Sequence, residues 1–161
     1  YFMANTPRSY AYGKKEFERT YHSMPCSPEV GTLQYFLNSP TVENPNGLDY
    51  NVCFLNRYDH QKYQLGWHAD DSPSMDRTHP IAVVSFGAER EIWWKKKDMK
   101  GEVPPENRQR LGHGSLFVMP SGFQDDHQHR IPKADRACGI RVSLTFRKYI
   151  ESAVADVGQE G

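Results

Sequence analysis

With 161 residues, twenty Lys+Arg and twenty Asp+Glu, the chain carries no net formal charge. A histone-like or tail-driven nucleic-acid binder needs a large cationic excess, so that class is excluded, while a local basic patch is not. Apolar residues at 37 % and aromatics at 12 % are enough for one packed core and too many for wholesale disorder.

In chain order, Pro28–Leu37 is the one segment with helical periodicity, placing Val30, Leu33 and Leu37 on one face. From Tyr50 onward the pattern is that of strands: Tyr50–Tyr58, Pro80–Gly87, Glu89–Lys96, Gly114–Met119 and Gly139–Tyr149. Turn-forming clusters separate them at Asp71–Thr78, Asp98–Asn107 and Pro120–Asp126. Residues 150–161 are small and acidic and are expected to fray. Many short strands with one helix predict a mainly β domain, a sandwich or barrel, with a jelly roll favoured. The longest uncharged apolar stretch, Ile81–Ala88, has eight residues, against roughly 18 for a membrane span. Cys26, Cys53 and Cys138 lack CxxC spacing and read as reduced thiols, not a zinc or disulfide framework. The expectation is a soluble intracellular protein, cytoplasmic or nuclear.

The chemistry concentrates in Trp67-His68-Ala69-Asp70-Asp71. In extended backbone, residues two apart project to one side, so His68 and Asp70 reach a common point. His129 follows 61 residues later. Two imidazoles and one carboxylate on a β scaffold make the facial triad of non-heme Fe(II) oxygenases, which leaves coordination positions open for co-substrate and O₂. An HxD pair alone is a weak signal, and an ordinary solvated strand end explains it as well. The last strand adds weight: Arg141, Ser143, Thr145 and Arg147 share one face, and Val142, Leu144 and Phe146 the other. The ordinary expectation for the arginine face is a wet surface. Two guanidiniums on one strand face are equally suited to a dicarboxylate. Asn56 and Tyr58 share a face of their own strand and offer amide and phenol hydrogen bonds.

These segments together resemble the AlkB family of Fe(II)/2-oxoglutarate dioxygenases. The resemblance is carried in order by Asn56-Arg57-Tyr58, His68-Ala69-Asp70-Asp71, the run 80–88, Gly114-Ser115-Leu116, Gln128-His129-Arg130-Ile131-Pro132-Lys133 and the run 141–147. It implies a double-stranded β-helix (jelly roll) with a short helical and lid segment at the N-terminus, in one domain over 1–161. Residues 1–48 would be nucleotide-recognition lid and supporting helix, 49–149 the core and 150–161 a flexible tail. It further implies iron held by His68, Asp70 and His129. Tyr58 and Arg141 would hold the distal carboxylate of 2-oxoglutarate, and Asn56 and Arg147 its chelating end, with Ser143 in the same pocket. Asp71 falls where the family sets a carboxylate against the target base. Pro7-Arg8, Tyr12-Gly13 and Tyr21 resemble the lid, making Tyr21 the stacking ring, Tyr12 its reserve and Arg8 a further contact. Ser72 and Ser143 stand where relatives often carry Glu and Asn, which bears on substrate identity. Lys14, Lys15 and Arg19 in the lid, and Lys95-Lys96-Lys97 with Lys100 beside Trp93 and Trp94, are candidates for a phosphate backbone. A lysine run is more often a solvated strand edge that blocks aggregation. The activity implied is demethylation of N-alkylated bases (1-methyladenine or 3-methylcytosine type) in DNA or RNA, single-stranded, by a monomer. The alternative is a 2-oxoglutarate-dependent hydroxylase of a protein or small molecule.

Overall fold

Ser27-Pro28-Glu29 starts the helix that the periodicity predicts. The Ser27 hydroxyl accepts from Val30 N at 3.3 Å, proline occupies the first turn, and Glu29 favours the positive end of the helix. In the computed structural model, which describes residues 1–12, 16 and 18–150 (backbone alone at 10–12), this helix α1 spans Pro28–Asn38. Val30, Leu33 and Leu37 pack on one face of a sheet, against Cys53, Leu55, Ala82, Val84, Leu144 and Phe146.

Four short strands precede α1: β1 Phe2–Ala4, β2 Ser9–Tyr12, β3 Arg19–His22 and β4 Met24–Pro25. After it come β5 Val52–Tyr58, β6 Leu65–His68, β7 Ile81–Gly87, β8 Arg90–Lys96, β9 Arg108–Leu111 and β10 Leu116–Met119. One helical turn, α2 Phe123–Asp126, leads into β11 His127–Ile131, and β12 Arg141–Arg147 closes the fold. The larger sheet has the order β10-β7-β12-β5-β1-β4, the smaller β6-β11-β8-β9, and β2 with β3 forms a separate hairpin. Antiparallel strands interleaved between two sheets in this way make a jelly roll, mainly β, as expected.

Two features depart from the sequence reading, and a third decides between two readings it left open. First, Phe2–Ala4, expected with the lid, is a strand of the larger sheet, paired with Val52–Phe54 of β5. Second, β6, β9 and β11 are too short to show an alternating pattern, yet they build most of the smaller sheet. Third, the Arg face of β12 is not wet. Arg141, Ser143, Thr145 and Arg147 are all buried, because the smaller sheet lies over that face while α1 covers the other. β12 is central, paired to β5 (Arg141↔Tyr58, Ser143↔Asn56) and to β7 (Arg141↔Gly87, Ser143↔Ser85). Gly87 has φ +88°, and a side chain there would run into the Ile140 carbonyl, so only glycine closes this turn. Among the described residues no helix is long and apolar enough to cross a membrane. Of the tail expected to fray, residues 150–161, only Ile150 is described, and its N–H donates to Ser74 O at 2.8 Å.

Candidate active site

His68 ends β6 and His129 lies in mid-β11, and the two are a directly opposed cross-strand pair. Their ring centroids are 4.2 Å apart. Asp70, two residues beyond β6, turns its carboxylate between them, 3.9 Å from His68 Nε2 and 3.7 Å from His129 Nε2. One ligand atom from each residue lies within 4.8 Å of the other two. The set is prepared for a cation. Asp70 Oδ2 is buried without a hydrogen-bond partner, which is costly unless something positive meets it. His68 Nδ1 sits 2.8 Å from Gly66 O, the arrangement in which Nδ1–H donates and Nε2 keeps its lone pair free. Burial above all holds His129 down to about 3, so its imidazole is neutral and able to ligate. Burial alone would raise the Asp70 carboxyl, but Arg147 and the two imidazoles outweigh it and keep it below its ordinary range.

Two residues outside the sequence reading brace the site, Gln124 beside Asp70 and Arg90 between the segment after β5 and the end of β11. Gln124, in α2, accepts from Asp70 N at 2.9 Å and donates to Met119 Sδ at 3.4 Å. It couples the Asp70 backbone to the turn that feeds β11. Arg90 is the other and is taken up below. Neither has a local signature, since a lone Gln in a turn or Arg at a strand start gives no pattern to read.

Unfolding exposes His129, which then gains a proton below its ordinary 6.5, whereas the folded ring stays neutral down to about 3. The unfolded chain therefore binds more protons across that window, and stability falls as pH drops from about 6.5 toward 3. Asp70, held below 3.8, adds in the same direction at the acid end. Metal-free protein is expected to lose on the order of a few kcal/mol over this range, measured by urea denaturation at successive pH values. His129→Asn should flatten the curve; an unchanged slope would remove His129 as the cause.

A cavity of about 400 Å³ opens onto the centre, walled by Tyr21, Phe54, Asn56, Trp67, His68 and Arg147 among others. Arg147 donates from NH2 to Asp70 Oδ1 at 2.7 Å and lies over the Phe54 ring, 4.3 Å from its centroid. Deeper along the same strand faces, Tyr58 and Arg141 are paired, and Arg141 donates to Ser85 Oγ at 2.9 Å. Burial raises the Tyr58 phenol against the opposing Arg141 and Arg90 charges, and burial lowers Arg141. Ser143 is buried between Asn56 and Ser85 in the register. The structure therefore brings buried Tyr58, Arg141, Ser143 and Arg147, with Asn56 exposed in the cavity wall, to one side of His68, Asp70 and His129.

The substrate-side residues are more dispersed. Tyr21, half-exposed in β3, lines the cavity. Asp71 is exposed and does not wall the cavity; its carboxylate lies 3.8 Å from Lys97 Nζ and its carbonyl accepts from Arg77 at 2.9 Å. Arg8 lies in a different, open hollow with His22 and Ser74, its guanidinium over the Tyr149 ring and donating to Ile150 O at 3.1 Å. The Tyr12 side chain, with Lys14 and Lys15, falls outside the described residues. The lysine and tryptophan cluster is largely self-satisfied. Trp94 turns inward against Phe117, while Trp93 is covered by Arg108 at 4.5 Å and Arg130 at 5.6 Å. Lys95 lies 4.8 Å from the Trp67 ring.

A jelly roll with two histidines and a carboxylate on the smaller sheet, facing buried arginines on the larger, defines a metal-dependent oxygenase architecture. The sequence profile of the 2OG-Fe(II) oxygenase superfamily matches residues 4–147. The chain belongs to that superfamily, and the curated relatives it resembles within it are AlkB homologues. It is 38 % identical over 141 residues to human alpha-ketoglutarate-dependent dioxygenase alkB homolog 3, covering 84 % of this chain and 49 % of the relative. It is 31 % identical over 153 residues to the human DNA oxidative demethylase ALKBH2, covering 91 % and 58 %. The solved structure of OsALKBH1 shares the fold, with a TM-score of 0.51 at 19 % identity over 79 % of this chain and 68 % of that one. The chain spans about half the length of the curated relatives it matches. Superfamily membership brings Fe(II), 2-oxoglutarate and O₂ as cofactor and co-substrates, and the donor set of His68, Asp70 and His129 fits such a hard-to-borderline divalent ion.

Proposed function

We propose that this chain is a single catalytic domain, residues 1–161, that oxidatively removes N-linked alkyl groups from nucleic-acid bases. The observation carrying the reading is the shared cavity: Tyr21, an exposed ring on the β2–β3 hairpin, walls the same space as His68 and Asp70. An aromatic face at the mouth and a cation site at the floor suit a flat, cationic base entering methyl-first. About 400 Å³ is room for one extruded base beside a small co-substrate. Such a base must leave its stack, which favours single strands or weakly paired lesions in DNA or RNA.

His68, Asp70 and His129 hold the iron, and Asn56 and Arg147 orient the chelating end of 2-oxoglutarate. Tyr58, Arg141 and Ser143 take its distal end. With iron bound, 2-oxoglutarate and O₂ supply the oxidation: the co-substrate becomes succinate and CO₂, and the N-methyl group leaves as formaldehyde. Arg147 has a second task, since its hydrogen bond fixes the Asp70 carboxylate and keeps it charged. Tyr21 and Trp67 shield the opening from water. Asp71 meets the exocyclic edge of the base once its contact with Lys97 is exchanged. Arg8 and Tyr12 belong to the lid that bears on the strand to either side. The domain acts as a monomer inside the cell, in cytoplasm or nucleus, where its substrates are.

Single-stranded DNA and RNA oligonucleotides carrying 1-methyladenine or 3-methylcytosine, incubated with Fe(II), ascorbate and 2-oxoglutarate, test this by mass spectrometry. Loss of one methylene mass, dependent on 2-oxoglutarate, is the expected result and ranks DNA against RNA. Succinate formation with no change in any oligonucleotide would overturn the nucleic-acid reading and favour a hydroxylase of a protein or small molecule.

A further inference from the structure

Arg90 opens β8 and is 2 % exposed. From NH2 it donates to Tyr63 O and to Pro132 O, each at 2.6 Å, and so ties the segment after β5 to the end of β11. A neutral amide would serve that purpose as well. Its Nε and NH1 have no hydrogen-bond partner. Arg141, 1 % exposed, is in the same condition, with Nε and NH1 unsatisfied beyond its bond to Ser85. Both guanidiniums lie against one ring, with carbons 5.3 Å (Arg90) and 5.1 Å (Arg141) from the Tyr58 centroid. Among the described residues neither forms an ion pair within 4.0 Å. Two like charges are thus buried together around a phenol with no carboxylate to answer them. The ring face offsets part of the cost. Orphaned donors and unpaired charge of this kind persist where an anion completes them. One carboxylate offers about four acceptor sites, enough for two guanidiniums and a phenol.

We propose that Arg90 is a third member of the pocket for the distal carboxylate of 2-oxoglutarate, beside Tyr58 and Arg141, and that it selects a dicarboxylate over a 2-oxo acid lacking the second carboxylate. This rests on the placement of that carboxylate at Tyr58 and Arg141. Protein loaded with Mn(II), which binds without turnover, is titrated calorimetrically with 2-oxoglutarate and with 2-oxovalerate, its five-carbon monoacid counterpart. Arg90→Gln keeps an NH2 donor for the Tyr63 and Pro132 carbonyls and loses the charge. It is expected to reduce the ratio of the two dissociation constants about tenfold or more by weakening 2-oxoglutarate alone. Arg90→Lys, with charge retained, should recover part of the ratio. A merely structural Arg90 would weaken both ligands alike and leave the ratio at its wild-type value, which overturns the proposal. An Arg141→Met variant separates the two levels of inference. If it too leaves the ratio unchanged, the carboxylate is not bound there and the placement itself fails.

Discussion

Asp70→Ala is expected to abolish turnover and metal binding together. Its Oδ2 is buried and unpartnered between two imidazoles, and among the described residues no other carboxylate joins that group. Activity should fall to the no-enzyme background, and metal retained after desalting should fall with it. The same change also reaches stability. Arg147, at 11 % side-chain exposure, has its 2.7 Å contact with Asp70 and would be left as an uncompensated buried cation. Removing one partner of such a pair costs about 3–5 kcal/mol. Asp70→Asn retains the shape and an acceptor for Arg147, and should recover part of the stability with none of the turnover. Paired measurements of activity, metal content and urea midpoint distinguish the two variants. Turnover within tenfold of wild type in Asp70→Ala would remove this residue from the centre.

Arg141→Met carries the second large effect, with opposite signs for stability and function. In the free protein Arg141 is a buried cation with two unsatisfied nitrogens and a second cation near the same ring. Methionine fills similar space without charge, and burial of its chain should stabilise the metal- and co-substrate-free protein by about 1–4 kcal/mol. The 2-oxoglutarate dissociation constant should rise by about two orders of magnitude, the loss of a charged, buried hydrogen-bonding partner. Thermal melts with and without 2-oxoglutarate read both: a higher midpoint alone and a vanished ligand shift. A variant less stable than wild type that still binds 2-oxoglutarate normally would mean Arg141 is structural.

Much of this was legible from sequence because it is local. α1 announces itself through its cap and its Val30, Leu33 and Leu37 face, and β12 through alternation. His68 and Asp70 are two apart in extended backbone, so their convergence follows from strand geometry. What was not legible depends on the other sheet. Alternation in β12 cannot tell whether the Arg face meets solvent or a second sheet, since both give the same pattern along the strand. Gln124 and Arg90 act by reaching segments that are distant in sequence, Asp70 in one case and Tyr63 with Pro132 in the other. Arg8 reads as a lid contact from its neighbours Pro7 and Tyr12, yet the short strands around it carry it toward the end of β12. In the same way β1 leaves the lid because its residues Phe2 and Ala4 complete the core beside Val52 and Phe54.

β12 sits between β5 and β7, hydrogen-bonded on both sides along most of its length. A ribosome delivers β5 and β7 long before it delivers Arg141–Arg147, and until then those strands have no shared partner. Pairings that join residue 58 to residue 141 are slow to form, and unpaired strand edges waiting for them invite aggregation. The nascent chain therefore has to be kept apart from its neighbours until β12 has been made. The strand that then completes the sheet is also the one that brings both site arginines. A chain interrupted before that strand has neither a stable larger sheet nor the two arginines that β12 carries.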